Sequence, residues 1–254
     1  GKNRFGNPTV SSDPSMAVSG LAGKRGLVIG IANDQSIAYG CAKAFRAAGA
    51  DLALTFLNEK AEPHVRPLAE GLGCPIIVRC DVQRPGELEA VFDRVRAAWG
   101  GLDFVLHSIA YAPLADLHGR LVDSSSAGFT QAMDISCHSF VRLAHLAEPL
   151  MPQGGSLLTV SYYGAEKVVA HYNLMGPVKA ALESSVRYLA AELGPGGIRV
   201  NALSPGPLKT RAASGIGHFE ELLSLAASKS PEHRTVEIDD VGGLAAVLGS
   251  DAAK

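Results

Sequence analysis

Residues 155–207 read GSLLTVSYYGAEKVVAHYNLMGPVKAALESSVRYLAAELGPGGIRVNALSPGP. Ser156 to Val160 is a short apolar run closed by Ser161, the pattern of a buried strand. After an irregular segment comes a helical pattern, with Leu182, Val186 and Leu189 on one face and Gly194-Pro195 to stop it. Ile198 to Leu203 is a second apolar run, ended by Pro205-Gly206. The order strand, helix, strand points to a parallel sheet with helices packed on it.

Tyrosines and lysines cluster where the first of these strands hands over to the helix. Tyr172 precedes Lys179 by seven residues, nearly two turns at about 3.6 residues per turn, so both side chains are expected in one cleft. A second pair, Tyr163 and Lys167, is four residues apart, but Tyr163 follows the strand end closely and Lys167 falls in a loop. Lys179 is better anchored, because Ala180, Ala181 and Leu182 continue it into an unbroken helical face. Pro177 is tolerable there only within the first helical turn, where a missing N–H does little harm. Taken singly, Tyr172 reads as a loop aromatic and Lys179 as a solvated charge. A motif near the front of the chain changes that weighting.

Gly26 to Gly30 is a strand entering a glycine, Ile31, Ala32 and the residues to Ser36 form a small polar turn, and Ile37 to Ala48 is a helix closed by Gly49. Such a strand–turn–helix aims backbone amides and a helix N-terminus at a phosphate, although no GxGxxG is present. Ser36 has two readings, a phosphate ligand or a helix cap.

The remaining chain alternates in the same way. Asp51–Phe56 is a strand, Glu62–Leu72 a helix and Pro75–Arg79 a strand. Leu88, Val91, Phe92 and Val95 mark one face of the next helix, with Trp99 continuing the stripe. Leu102–His107 is the fourth strand, and Ser108, Ile109 and Ala110 stand at its carboxyl end, where open α/β sheets bind ligands. His107 reads as a satisfied strand-end histidine. A polar loop through Ser124–Ser126 leads to a helix expected from Phe129 to Leu150. Phe219–Ala227 and Val241–Leu248 read as two further helices.

Composition narrows the function classes. With 254 residues, 47% of them hydrophobic, the chain can bury one large core. A formal charge of −2 with both signs interspersed offers no face for nucleic acid. No apolar run approaches the ~20 residues that span a bilayer. Four cysteines without a CxxC imply reduced thiols and a cytoplasmic setting, and the eight histidines show no metal-ligand grouping. Residues 1–20 lack periodicity and read as a disordered or expression-derived segment, with Met16 a candidate start.

In order along the chain occur GIAN at Gly30, CDV at Cys80, HSIAYAP at His107, SYYGAE at Ser161, YNLMGPVK ending at Lys179, and SPGPLKTRAASGI from Ser204 to Ile216. Together these resemble the bacterial enoyl-acyl-carrier-protein reductases, the divergent branch of the short-chain dehydrogenase/reductase family, over roughly residues 21–251. The resemblance implies a single Rossmann-like, doubly wound parallel sheet with helices on both faces, and reduction of a trans-2-enoyl thioester by NADH. Tyr172 would stabilise the enolate oxygen. Lys179 would hold the nicotinamide ribose and ease loss of the tyrosine proton. Tyr162 would be a second pocket tyrosine. By the same resemblance Asp81 and Val82 lie against adenine, and Ser108–Ala110 along the nicotinamide ribose. Leu208, Lys209, Thr210, Arg211 and Ala212 would carry further cofactor contacts. Tyr111, Ala112, Ile216 and Phe219 would line the acyl site, the last two within a lid at about 207–229.

NADH is favoured over NADPH, because no arginine follows Phe56 to meet a 2′-phosphate. The resemblance further implies an acyl-carrier-protein partner, which Lys209 and Arg211 could meet, and a homotetramer built partly on the helix bearing Phe140, Leu143, Ala144 and Ala147. It also implies a pocket for diphenyl-ether inhibitors. Relatives continue past the last helix into a seventh strand that the sequence to Lys254 does not supply, so an unpaired sheet edge is expected. Two rivals stand beside this reading. One is a ketone or alcohol oxidoreductase using Tyr163 and Lys167; the other is a dinucleotide-binding protein without catalysis.

Overall fold

The structure, a computed structural model, describes residues 20–210 and 213–254. Of the expected N-terminal segment only Gly20 falls among them, and the expectations at Arg211 and Ala212 lie outside them. The strands are β1 Arg25–Ile29, β2 Asp51–Phe56, β3 Ile76–Arg79, β4 Phe104–His107, β5 Gly155–Val160 and β6 Ile198–Leu203. They pair in parallel throughout, in the order β3-β2-β1-β4-β5-β6, with β6 at an edge. The helices among the described residues are α1 Ile37–Ala47, α2 Glu62–Gly71, α3 Glu87–Trp99, α4 Leu114–His118, α5 Ser126–Met133, α6 Ser139–Ala147, α7 Met175–Leu193, α8 Phe219–Lys229 and α9 Ile238–Gly249.

The strands are apolar throughout because both faces of the sheet are covered. Alternate residues of each strand serve opposite cores. Leu27, Val105 and Leu157 join Phe92 of α3, Phe140 of α6 and Leu182 of α7 on one face. Val28, Leu106 and Leu158 join Phe45 of α1, Val65 of α2 and Ala245 of α9 on the other. This is the doubly wound arrangement expected from the sequence.

Strand order reverses between β1 and β4, and a crevice opens at their carboxyl ends. Gly30 stands at that point with φ of +118°, and a Cβ there would be driven into the Ser108 carbonyl oxygen. Both the backbone conformation and the close approach to the β4 exit require glycine.

Most of the expected boundaries hold, and the exceptions have local causes. The helix expected from Phe129 begins at Ser126, because the Ser125 hydroxyl caps it by accepting from Gly128 N at 2.9 Å. A π-helical turn, Asp134–His138, separates α5 from α6. The last helix begins at Ile238, three residues before Val241, behind a reciprocal cap between Glu237 and Asp240. The short α4 had no pattern long enough to register in the sequence. Pro177 lies in the first turn of α7, as its chemistry demands. Phe140, Leu143, Ala144 and Ala147, open to either a partner or the core on sequence grounds, are all core residues of this chain.

Candidate active site

Three elements converge at the carboxyl end of β5. The strand delivers Val160, Ser161 and Tyr162; α7 delivers Lys179; and the turn ahead of α7 delivers Tyr172. The seven-residue spacing therefore does not run along one helix. Positive φ at His171 (66°) and Asn173 (50°) keeps Tyr172 off the helical spiral, a backbone state that non-glycine residues hold only when their surroundings over-determine it. Asn173 Nδ2 donates to the Leu117 carbonyl at 2.8 Å, and the Tyr172 ring packs on Tyr162 with centroids 4.8 Å apart. Tyr172 is 6% exposed.

Electrostatics separate the roles of these groups. Burial pushes the Tyr172 hydroxyl above its ordinary pKa, and Tyr162 and Glu183 add to the rise. Tyr172 is thus held as a phenol, a hydrogen-bond donor. The Lys179 ammonium donates to the Val160 carbonyl at 2.7 Å. Burial pulls it down to about 8, while Cys137 and Glu183 favour its charge. His107 is held neutral, its pKa drawn down to about 3 by burial and then by Lys179. Both of its ring nitrogens are occupied, by Thr159 Oγ1 at 2.9 Å and Ser139 Oγ at 2.7 Å, so it is structural.

Tyr172 and Lys179 both face one cleft of about 550 Å³. Of the expected cofactor residues, Ile37, Ser108, Ile109, Ala110, Lys179, Leu208 and Thr210 line it. So do Tyr111, Ala112, Tyr162, Tyr172, Ile216 and Phe219, the whole expected substrate set. Gly30, Ile31, Ala32 and Ser36 form the turn at the β1 exit and do not line it, and Asp81 and Val82 lie at the β3 exit, also outside it. Asp81 shapes its own turn, its carboxylate accepting from Gln83 N at 3.0 Å. Lys209 faces solvent and pairs with Glu220 at 3.5 Å. Tyr163, 54% exposed, and Lys167 are not part of the cleft lining.

Sequence reasoning missed Leu114, Leu117, Met175 and Leu222, which complete the apolar wall. It also missed Ser136. The π-helical turn brings this buried hydroxyl to the Tyr111 backbone, where it accepts from the amide at 2.9 Å and donates to the carbonyl at 3.0 Å. Over the cleft, His118 Nε2 meets the Gly215 carbonyl at 2.5 Å, and the His171 and His218 rings stack 4.2 Å apart. These contacts tie the segment before α8 to α4 and to the Tyr172 turn.

At the β1 exit, the Ser36 hydroxyl accepts from Ala32 N at 2.9 Å and Asn33 N at 3.1 Å. The Ser36 side chain does not cap α1; as the acceptor of both amides it holds the turn in shape, and its own O–H is left to donate. The N-terminus of α1 carries no side-chain cap and no acidic residue in its first turn, a state suited to an anion. Lys179 spends one bond of the three that an ammonium can make. An unneutralised helix N-terminus at one end of the crevice and a buried, under-used cation at the other fit a dinucleotide laid across the sheet.

No helix among the described residues is long and apolar enough to cross a membrane. Cys41, Cys74, Cys80 and Cys137 are all free thiols.

The chain is similar to known proteins along most of its length. A family model described as "Enoyl-(Acyl carrier protein) reductase" matches residues 30–254. An "Enoyl-[acyl-carrier-protein] reductase [NADH] 1" of Rhizobium meliloti is 50% identical over 234 residues, covering 92% of this chain and 86% of the relative. The crystal structure of an enoyl-(acyl-carrier-protein) reductase from Anaplasma phagocytophilum, in complex with NAD, superposes with a TM-score of 0.88 at 51% identity, covering 91% of this chain and 88% of the other. The enoyl-acyl carrier protein reductase of Bacillus cereus, with NADP+ and indole naphthyridinone, gives a TM-score of 0.89 at 43% identity, covering 92% of each.

Proposed function

The chain belongs to the enoyl-(acyl-carrier-protein) reductase family, and from this premise we propose how its residues carry the reaction. It is an NADH-dependent oxidoreductase of fatty-acid biosynthesis that reduces the double bond of enoyl groups on acyl-carrier protein. When bound, NADH supplies the hydride that ends on the substrate β-carbon. Tyr172 hydrogen-bonds the thioester oxygen, where negative charge gathers as the enolate forms. A donor aimed at charge that appears only along the reaction acts on the transition state rather than on the substrate. Tyr162, its ring tilted against that of Tyr172, is the second phenol of the pocket. Lys179 holds the cofactor ribose with its uncommitted N–H groups, and Ser108, Ile109 and Ala110 flank it. Ile216 and Phe219, with Tyr111 and Ala112, keep water from the acyl chain.

The observation that carries this assignment is the meeting of a protonated, buried Tyr172 with Lys179 in one apolar cleft. Tyr172→Phe should lower kcat with crotonyl thioester and NADH about 10²–10³-fold, read as loss of NADH absorbance. Lys167→Ala should leave it unchanged. Full turnover by Tyr172→Phe, or loss on Lys167→Ala, would move the chemistry to the Tyr163 pair. Parallel wells with NADPH and a β-ketoacyl thioester separate the cofactor and reaction alternatives.

The same reading extends to a single domain over residues 21–254 with its lid at about 207–229, to a homotetramer, to a cytoplasmic location, and to a pocket for diphenyl-ether inhibitors beside Tyr172. Support for assembly is Tyr188, 70% exposed on the outer face of α7; support for the location is the set of free thiols.

A further inference from the structure

Two hydrogen bonds at the end of β5 reach back to the same stretch of α7. The Val160 carbonyl accepts from Lys179 Nζ at 2.7 Å, and the next residue, Ser161, donates its hydroxyl to Glu183 Oε1 at 2.6 Å. Glu183 stands one turn beyond Lys179 on α7, so both side chains extend from one helical face to one strand end. Ser161 is itself fixed, 3% exposed, with its amide bonded to the Leu203 carbonyl at 2.7 Å. A carboxylate is therefore held by a rigid partner beside a buried ammonium, without closing on it as an ion pair.

We propose that Glu183 is a positioning residue for the reduction: pinned by Ser161, its carboxylate is the standing negative charge that keeps Lys179 an ammonium aimed into the cleft.

This rests on the reading of Lys179 given above. The groups around Lys179 are His107 from β4, Cys137 from the π-helical turn and Glu183, with Tyr172 from the turn before α7 lining the same cleft. His107 is neutral and fully hydrogen-bonded, and Tyr172 is held as a phenol. Neither supplies charge. Cys137 and Glu183 both favour the charged lysine. The Cys137 sulfur lies against the Ser185 hydroxyl at 3.6 Å. Glu183 is the one of the two that a hydrogen bond from the strand end holds in place, through Ser161. Burial has already drawn Lys179 down to about 8, so without Glu183 much of the lysine would be uncharged where the enzyme works, with a lone pair in place of one donor.

The test is Glu183→Gln, with pH profiles of kcat/KM for NADH and, separately, of NADH affinity by fluorescence titration without substrate. The alkaline limb should move about one to two pH units lower in both, and Kd at pH 8 should rise about tenfold. Ser161→Ala should move the limb the same way by less, and Glu183→Asp should restore it. Glu192→Gln, an exposed acid on the same helix, should change nothing. A limb that stays in place in Glu183→Gln, with or without a general drop in rate, overturns the proposal; so does a limb that moves on Cys137→Ala instead. If Glu183→Gln fails to fold, Ser161→Ala decides, and an unmoved limb there overturns it. Failure of the underlying reading looks different: wild-type protein would leave crotonyl thioester unreduced, or Lys179→Met would keep full activity and NADH affinity.

Discussion

Lys179 is costly where it stands. Its pKa falls from 10.5 free to about 8 folded, so between those values the unfolded chain binds more protons than the folded one. Wild-type stability therefore rises as pH climbs from 8 towards 10.5, and below 8 the buried charge is a full penalty of about 3 kcal/mol. Lys179→Met should be inactive yet more stable at pH 7, by up to that amount less the cost of leaving the Val160 carbonyl without its donor. The gap should close by pH 10.5, as read by urea midpoints at the two pH values. A site that weakens its own fold in this way is a mark of function rather than of packing. The sequence disclosed Tyr172 and Lys179 as a pair through their spacing. It concealed that Tyr172 is off the helix, because nothing in the identities of His171 and Asn173 announces a positive φ. Nor could spacing reveal that Ser36 holds its own turn, since a hydroxyl at the sixth position of a polar turn has several amides within reach.

At the scale of elements, the cofactor end of the crevice depends on how α1 is held, and α9 holds it. A Cβ on Gly40 would be driven into the Ile238 carbonyl, and one on Gly242 into the Gly40 carbonyl. The two backbones touch where neither helix has a side chain. Gly242→Ala should cost about 2 kcal/mol by overpacking, seen as a lower denaturation midpoint. Tilting α1 should also weaken NADH binding, although Gly242 lies outside the cleft lining. Long elements were legible because their periods repeat: β2 and β6 have the expected bounds, and α7 carries the expected Leu182, Val186 and Leu189 face. Short or capped features were not. Ser125 looked like one more loop serine, α4 spans five residues, and a π-helical turn differs from an α-helix by a single residue with no residue type to mark it.

For the whole molecule, ligand and fold are coupled through the crevice between β1 and β4. NADH at a hundred times its Kd should add about 2.7 kcal/mol to stability, a rise in Tm of about 5–10 °C for a chain of this size. Thermal melts with and without NADH check this; the enoyl thioester alone should shift Tm less, because it reaches only the apolar half of the site. The doubly wound order was legible from the alternation of strands and helices, whereas the histidine contacts that tie α8's approach to α4 were not, because they join residues distant in sequence. The same strand order has a consequence for biosynthesis. β1 sits between β2 and β4, and Arg25 waits for Asp103, 78 residues further on. At translation speeds of roughly 5–20 residues per second, that partner emerges about 4–16 s later. Throughout that interval the growing chain presents Leu27 and Val28 on a strand with at least one edge unclaimed. A strand paired on both sides in the finished enzyme is thus exposed on the ribosome, and helper proteins that bind nascent apolar segments would find purchase there.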